Sequence, residues 1–344
     1  MKDFYIAFLL NSTLWRPSQS MKQLQKVPLD RINLKDHFFL ITYPLNPEPL
    51  IPSVGKVGLL QPVFLRELPS GYYQIVHGFR RVLACRDLHF EAIEAWVYGL
   101  ENLGDLEGFR ISLLDNLTLR RLNLIEKATV LHKLLHQFGL EKQIVVQEYM
   151  PLLDLEPSLE VLGGYLQLSH LKSEIQSYLV AEEIPLKLAL ELLHFSPEDQ
   201  RQLVYLASSL KLTVNTFKEF MTFIGEIIGR EEIPLENLLD DLNIPDILAN
   251  SVLPIPQKTE KVRKILKQRR YPFLTSLEDQ LQEKLKQLRL PREVSLTLPP
   301  FLEGDRLKVT FQFRSIKELE KILTKLQELM DREELEDILR LLRG

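Results

Sequence analysis

Apolar residues recur along this chain with two different periods, and the change from one to the other divides it. "QPVFLREL" (Gln61 to Leu68) and "YYQIVHG" (Tyr72 to Gly78) are short and rich in β-branched and aromatic residues. With "PSG" between them, they predict two strands joined by a tight turn. "RRVLACRDL" then reads as a helix with Val82, Leu83 and Cys85 available to a core, and "EAIEAWVYG" (Glu91 to Gly99) as the next strand. A further strand-like segment opens within "MKQLQKVPLDRINL". The β-β-α-β order predicts a small α+β domain. From about residue 110 the period lengthens to that of helices. "NLIEKATVLHKLLHQFG" puts Ile125, Ala128, Leu131, Leu134, Leu135 and Phe138 on one face. It opens with Asn123 and Glu126 in capping-box spacing and stops at Gly139. More helices are expected to about residue 247, punctuated by Pro185, Pro197, Pro234 and Pro245.

Beyond these helices, "SVLPIPQK" (Ser251 to Lys258) reads as a linker, and "KTEKVRKILKQRR" carries seven Lys or Arg in 13 residues. A helix is predicted over Ser276 to Leu288, followed by a hairpin of "VSLTL" and "LKVTFQF", whose alternation is strict. A last helix opens at the Ser315 and Glu318 capping box. This α-β-β-α unit buries little by itself, so it is expected to dimerise. The fold class is therefore α+β. The expected division is a leader at 1–20, a small α+β domain at 21–110, an all-helical domain at 111–250, a basic linker or helix at 251–275, and a dimerisation unit at 276–344.

Composition narrows the class. The 344 residues are 45% hydrophobic and 26% charged, which fits a globular chain of two or three domains. The one cysteine, Cys85, can form no internal disulfide and points to a reducing, cytoplasmic setting. No apolar run is long enough to span a bilayer. "MKDFYIAFLLNS" is too short in its apolar core for a signal peptide; we expect a poorly ordered leader, or a native start at Met21. The net charge of −4 is uneven: 17 basic against 15 acidic residues (+2) in 1–150, 6 against 17 (−11) in 151–250, and 20 against 15 (+5) in 251–344.

The chemistry concentrates at "IVHGFRRVLACRDL". A glycine where a strand hands over to a helix permits close backbone approach and positive φ. The free N–H groups of the next helix, with its dipole, favour an anion there, and Arg80 and Arg81 add donors matched to phosphate. Elsewhere, His132 and His136 are four apart on one helix without an acidic third ligand, so no metal is expected there. No nucleophile-base pairing is evident.

Three stretches in the right order resemble the N-terminal boxes of the ParB family of chromosome and plasmid partition proteins. The matching residues are Gly58, Leu59, Gln61 and Pro62; then Gly78, Arg80, Arg81 and Ala84; then Asp115, Asn116, Asn123, Ile125 and Glu126. The resemblance is firm over about residues 25–140. It implies a CTP site with magnesium, in which Gly58, Gln61, Gly78, Arg80, Arg81 and Asn116 bind nucleotide and Asp115 the metal. It also implies nucleotide-dependent closure of a dimer on DNA, and a partition ATPase as partner. Phe79 replaces the second box's Glu, and the third box's Arg falls on Leu119, with Arg120 one place later. These departures argue against efficient CTP hydrolysis. One step along a helix turns a side chain by about 100°, so Arg120 is not expected to stand in.

The family's helix-turn-helix would fall in Gly139 to Leu168, but its second helix, "PSLEVLGGYLQL", has no basic residue. Base reading by this segment is therefore not expected. Lys261, Arg263, Lys264, Lys267, Arg269 and Arg270 form the better DNA contact, to phosphates rather than bases. The leading reading is a DNA-binding partition dimer with a modified CTP site. A ParB-fold scaffold that binds a protein through its acidic middle, and an enzyme acting on nucleotide or phosphate substrates, are the alternatives.

Overall fold

The structure is a computed structural model and describes residues 22–288, 290–291, 293–299, 304, 306–330 and 332–343. The expected leader and the alternative start at Met21 lie outside the described residues. The chain separates into two compact units, one ending at Leu206 and one beginning at Ala207.

The first unit is built on a five-stranded sheet of order β1-β5-β3-β4-β2. The strands are β1 (Gln23–Pro28), β2 (Ile32–Asn33), β3 (Val63–Glu67), β4 (Tyr73–His77) and β5 (Ala92–Tyr98). β3 and β4 form the expected antiparallel hairpin, with Leu65 opposite Ile75. Its turn closes through Leu68 N–H to Tyr72 O at 2.8 Å, with Gly71 at φ +76°. β5 lies parallel to β3, which requires a crossover, and α2 (Phe79–Asp87) supplies it. All five β4 residues are buried, so β4 is covered on both faces, while β1 shows a mostly exposed pattern at the sheet edge. The sequence pattern displayed β3, β4, α2 and β5, and the strand-like segment expected within residues 21–34 holds β1 and the two-residue β2 at the sheet's margins.

α1 (Ile51–Val57) packs on α2, α3 (Asp105–Leu119) packs on β4, and α4 (Leu124–His132) opens with both capping-box bonds formed. The helix expected to run on to Gly139 is regular only to His132. Lys133–Gln137 form a π turn, and Gly139 then takes φ +66°. Lys133 explains part of this: its Nζ donates to the carbonyls of His37 (2.6 Å) and Phe38 (2.8 Å). α5 (Lys142–Ile144) runs into a second π turn at Val145–Tyr149, and α6 (Leu159–Gln167), α7 (Ser173–Ala181) and α8 (Leu186–Leu192) follow. α9 (Pro197–Leu210) contains the division between the two units.

In the second unit, α10 (Val214–Glu231), α11 (Leu235–Asp241) and α12 (Ile244–Ala249) lead to α13 (Ile255–Arg270) and α14 (Pro272–Gln287). The stretch read as a proline linker is where α13 starts. Pro254 is its N-cap and Pro256 sits in the first turn, where a missing N–H costs nothing. The hairpin β6 (Val294–Thr297) and β7 (Lys308–Phe311) pairs with Leu296 opposite Val309. α15 (Ile316–Met330) follows, and then a helix the sequence reading did not separate, α16 (Glu333–Arg343). Ile338 of α16 is fully buried in a cluster with Leu281, Leu288 and Leu329. The unit is therefore α-β-β-α-α. Among the described residues, no helix is long and apolar enough to cross a membrane.

Candidate nucleotide site and basic helix

Gly78 occupies the junction between β4 and α2 as the N-cap of α2, at φ +96° and ψ 23°. A side chain there is excluded twice. The backbone is left-handed, and a Cβ would come within 2.8 Å of Val63 Cγ1 on the neighbouring strand. This glycine brings the first turn of α2, with its unpaired N–H groups, up against the end of the sheet. Arg81 turns back over that end and donates from Nη1 to the carbonyls of Gln61 (2.9 Å) and Pro62 (3.2 Å). Arg80 reaches the other way and donates from Nε to Asn46 O at 2.7 Å. Both guanidinium groups thus rest on neutral carbonyls. Phe79, where the resembling pattern has Glu, is buried, with its ring edge-on to His37.

The Asp-Asn step comes in from α3. Asp115 Oδ2 is a close partner of His77 Nε2, from the last residue of β4, and has no other partner among the described residues. The His77 hydrogen bond holds the Asp115 carboxyl below its ordinary value, with Arg81 adding to it electrostatically and burial opposing. Burial lowers the Arg81 guanidinium from its usual value, and Asp115 pulls it back up. Arg81 and Asp115 thus act on each other electrostatically. Asn116 is buried, donating from Nδ2 to Ser112 O at 2.8 Å. The structure thus brings Gly78, Arg81, Asp115 and Asn116 to one end of the sheet. Gln61 contributes its carbonyl, while its side chain is exposed. Gly58 caps α1 at φ +73° with open space where a Cβ would be.

Arg120 differs from expectation. The 100° argument assumes that the helix continues, but α3 ends at Leu119, and Arg120 is an extended C-cap at φ −160° and ψ 169°. Its side chain folds back so that Nη2 donates to Asn116 Oδ1 at 2.9 Å and Nη1 to Glu126 Oε2 at 2.6 Å. Leu119, at the pattern position, is 66% exposed. The signal for this was Arg120 followed within three residues by a capping box, which forces a break between two helices.

For a divalent cation, Asp115 is a carboxylate at hand. Among the described residues, no three His, Cys, Asp or Glu side chains are grouped to hold a metal. One carboxylate suffices for magnesium when substrate phosphates and water supply the remaining oxygens, so the residues fit a cation that arrives with a polyphosphate.

The region of the expected helix-turn-helix holds α5 with its π turn, a turn containing Asp154 at φ +54°, and then α6 capped by Ser158. α6 exposes Leu159, Glu160 and Gln167 and carries no cation. The basic stretch is helical, but most of its charge is answered. Arg263 meets Glu219 (3.0 Å) and Glu260, Lys267 meets Glu278 (2.8 Å), Arg269 meets Glu231 (2.7 Å), and Arg270 meets Glu226. Lys261 and Lys264 are exposed, with no carboxylate partner among the described residues.

The chain is similar to several known proteins. Residues 17–117 match the ParB N-terminal domain family. The chain is 24% identical over 268 residues to the probable chromosome-partitioning protein ParB of Vibrio cholerae serotype O1, spanning 75% of this chain and 87% of that one. It is 26% identical over 212 residues to the nucleoid occlusion protein of Listeria monocytogenes serovar 1/2a, spanning 61% of this chain and 71% of that one. Among solved structures, C-terminally truncated ParB from Caulobacter crescentus complexed with CTP-γ-S is similar at 24% identity. That likeness spans 53% of this chain and 99% of that one, with a TM-score of 0.25.

Proposed function

We propose that this ParB-like chain is a DNA-binding partition protein whose N-terminal domain takes CTP with magnesium. The observation that carries the reading is the end of β4, where the left-handed Gly78 sets the first turn of α2, Arg81 is held on the Gln61 and Pro62 carbonyls, and Asp115 is held by His77 beside Asn116. A triphosphate laid across that junction would find the first N–H groups of α2, the Arg80 and Arg81 guanidiniums, and Asp115 for the cation. When bound, magnesium would neutralise phosphate charge. The names of the Vibrio cholerae and Listeria relatives support a role on the chromosome. DNA contact falls to the phosphates through the cations of α13, and self-association to the C-terminal unit, where Val309, Phe313, Ile316, Leu323 and Met330 are exposed. A partition ATPase is the further partner. The divisions at residues 110, 250 and 275 belong to this proposal.

Isothermal titration with CTP and magnesium tests it. Wild type binds, and Arg80→Ala binds at least about tenfold more weakly, the loss of a charge-assisted fork. Absence of binding by wild type rejects the nucleotide reading. It then favours the scaffold alternative, which the neutralised α13 and the cation-free α6 independently support.

A further inference from the structure

We infer that Arg120 is a further anion-binding residue of this site and that Glu126 is the residue that positions it; the inference rests on the nucleotide reading above. Neither role follows from the box pattern, which puts its third arginine at Leu119. The geometry assigns it instead to the break between α3 and α4. There Arg120 donates to Asn116 Oδ1 (2.9 Å), Thr42 Oγ1 (3.3 Å) and Glu126 Oε2 (2.6 Å). A guanidinium has five N–H donors, and these bonds use three. Its side chain is 33% exposed, so an incoming oxygen can reach it without a rearrangement.

Glu126 is a fixed anchor. Its side chain is 1% exposed, and it accepts from three donors: Arg120 Nη1, Asn123 N (2.9 Å) and Tyr43 N (2.9 Å). A carboxylate so buried needs a cation and hydrogen bonds, so Arg120 cannot leave it cheaply. The same anchor fixes the segment 42–46. Tyr43 N donates to Glu126, and Tyr43 O accepts from Asn123 Nδ2 at 2.7 Å. One end of that segment, Thr42, touches Arg120, and the other, Asn46, carries the carbonyl that Arg80 occupies. A closed circuit results: Arg80, segment 42–46, Arg120, Asn116, Asp115, Arg81. Two guanidiniums from different parts of the chain are held at the ends of one short segment, with the Asp-Asn step between them and Arg81. An anion with several oxygens can engage more than one guanidinium of such a set.

The test is titration of full-length protein with CTP and magnesium and, separately, with inorganic tripolyphosphate. Arg120→Ala weakens both by about tenfold or more. Arg120→Lys, which keeps the charge that Glu126 needs and loses the fork, weakens them by about three- to tenfold. Leu119→Ala stays within about twofold of wild type. The positioning role is read without ligand: the Arg120 Nε–H signal in ¹⁵N relaxation is rigid in wild type and mobile in Glu126→Gln. If Arg120→Ala and Arg120→Lys bind as wild type does while Arg80→Ala does not, Arg120 is no ligand and the nucleotide reading stands. If the signal stays rigid in Glu126→Gln, the positioning role is wrong. If wild type takes neither CTP nor tripolyphosphate, the reading and this inference fall together.

Discussion

Two clusters of cations can be compared directly. α13 contains seven Lys or Arg, while the turn after β4 has two. By count α13 is the anion site, but in the fold its charge is largely spent. Glu219, Glu226 and Glu231 of α10, with Glu278 of α14, answer Arg263, Arg270, Arg269 and Lys267. Three of those carboxylates come from the stretch whose balance is −11, so the sequence's acidic middle and basic end cancel in part against each other. At the turn, Arg80 and Arg81 lean on carbonyl oxygens, which orient a guanidinium without cancelling it, and Arg81 also feels a carboxylate, Asp115. What matters for an external anion is the charge that the fold leaves unanswered.

The largest expected effect is on the backbone that makes the turn. Gly78→Val must take φ +96° and push Val63 Cγ1 from a 2.8 Å contact, so it loses about 2–4 kcal/mol of stability in chemical denaturation. Lys264→Val, on the exposed side of α13, changes stability by less than about 0.5 kcal/mol. Equal stability losses would mean that the turn is no more specialised than the helix surface. A smaller effect comes from acid. The Asp115 carboxyl is depressed from 3.8, so its pairing contributes stability at higher pH and loses it as pH falls below about 3.8 through the folded-state value. Asp115→Asn removes that contribution, and its unfolding midpoint falls less steeply with acidification than wild type's. An identical acid slope in the two would detach Asp115 from the His77 and Arg81 cluster.

Much of this was legible from periodicity. The β3-β4 hairpin, α2, β5 and the Asn123 cap all stand where alternation, turn residues and capping spacing put them. β1 and β2 were less so, because edge strands carry little apolar alternation. α16 has Leu335, Ile338, Leu341 and Leu342 at helical spacing, but a dense run of charge precedes them. The π turn after His132 answers to the His37 and Phe38 carbonyls, nearly a hundred residues away, which no local window contains. In the site, residue types at the strand-to-helix junction pointed to Gly78 and the arginine pair, while Asp115 came only from the family resemblance. The direction of Arg120 was not legible because it depends on where α3 stops and on the buried Glu126 that it pairs with, which are tertiary facts. The pairing of α13 was hidden for the same reason: its partners on α10 lie about forty residues earlier.

The smallest effects are expected on α13, and they divide its cations into two kinds. If phosphates bind there, log affinity for random duplex falls linearly with log salt, by about 0.9 for each phosphate neutralised. Lys261 and Lys264 are exposed and without a carboxylate partner among the described residues, so Lys261→Ala with Lys264→Ala lowers that slope by about one to two. Arg263→Ala or Arg270→Ala moves it less, because DNA must first take each arginine from its glutamate. The reverse substitutions sharpen the point. Glu219→Gln with Glu226→Gln releases two arginines without adding a cation, and it steepens the slope and raises affinity by about two- to threefold. A wild-type affinity flat in log salt removes α13 as a phosphate contact. A slope that Arg263→Ala lowers as much as Lys261→Ala would show that the glutamates on α10 do not compete, and that counting cations was the right measure after all.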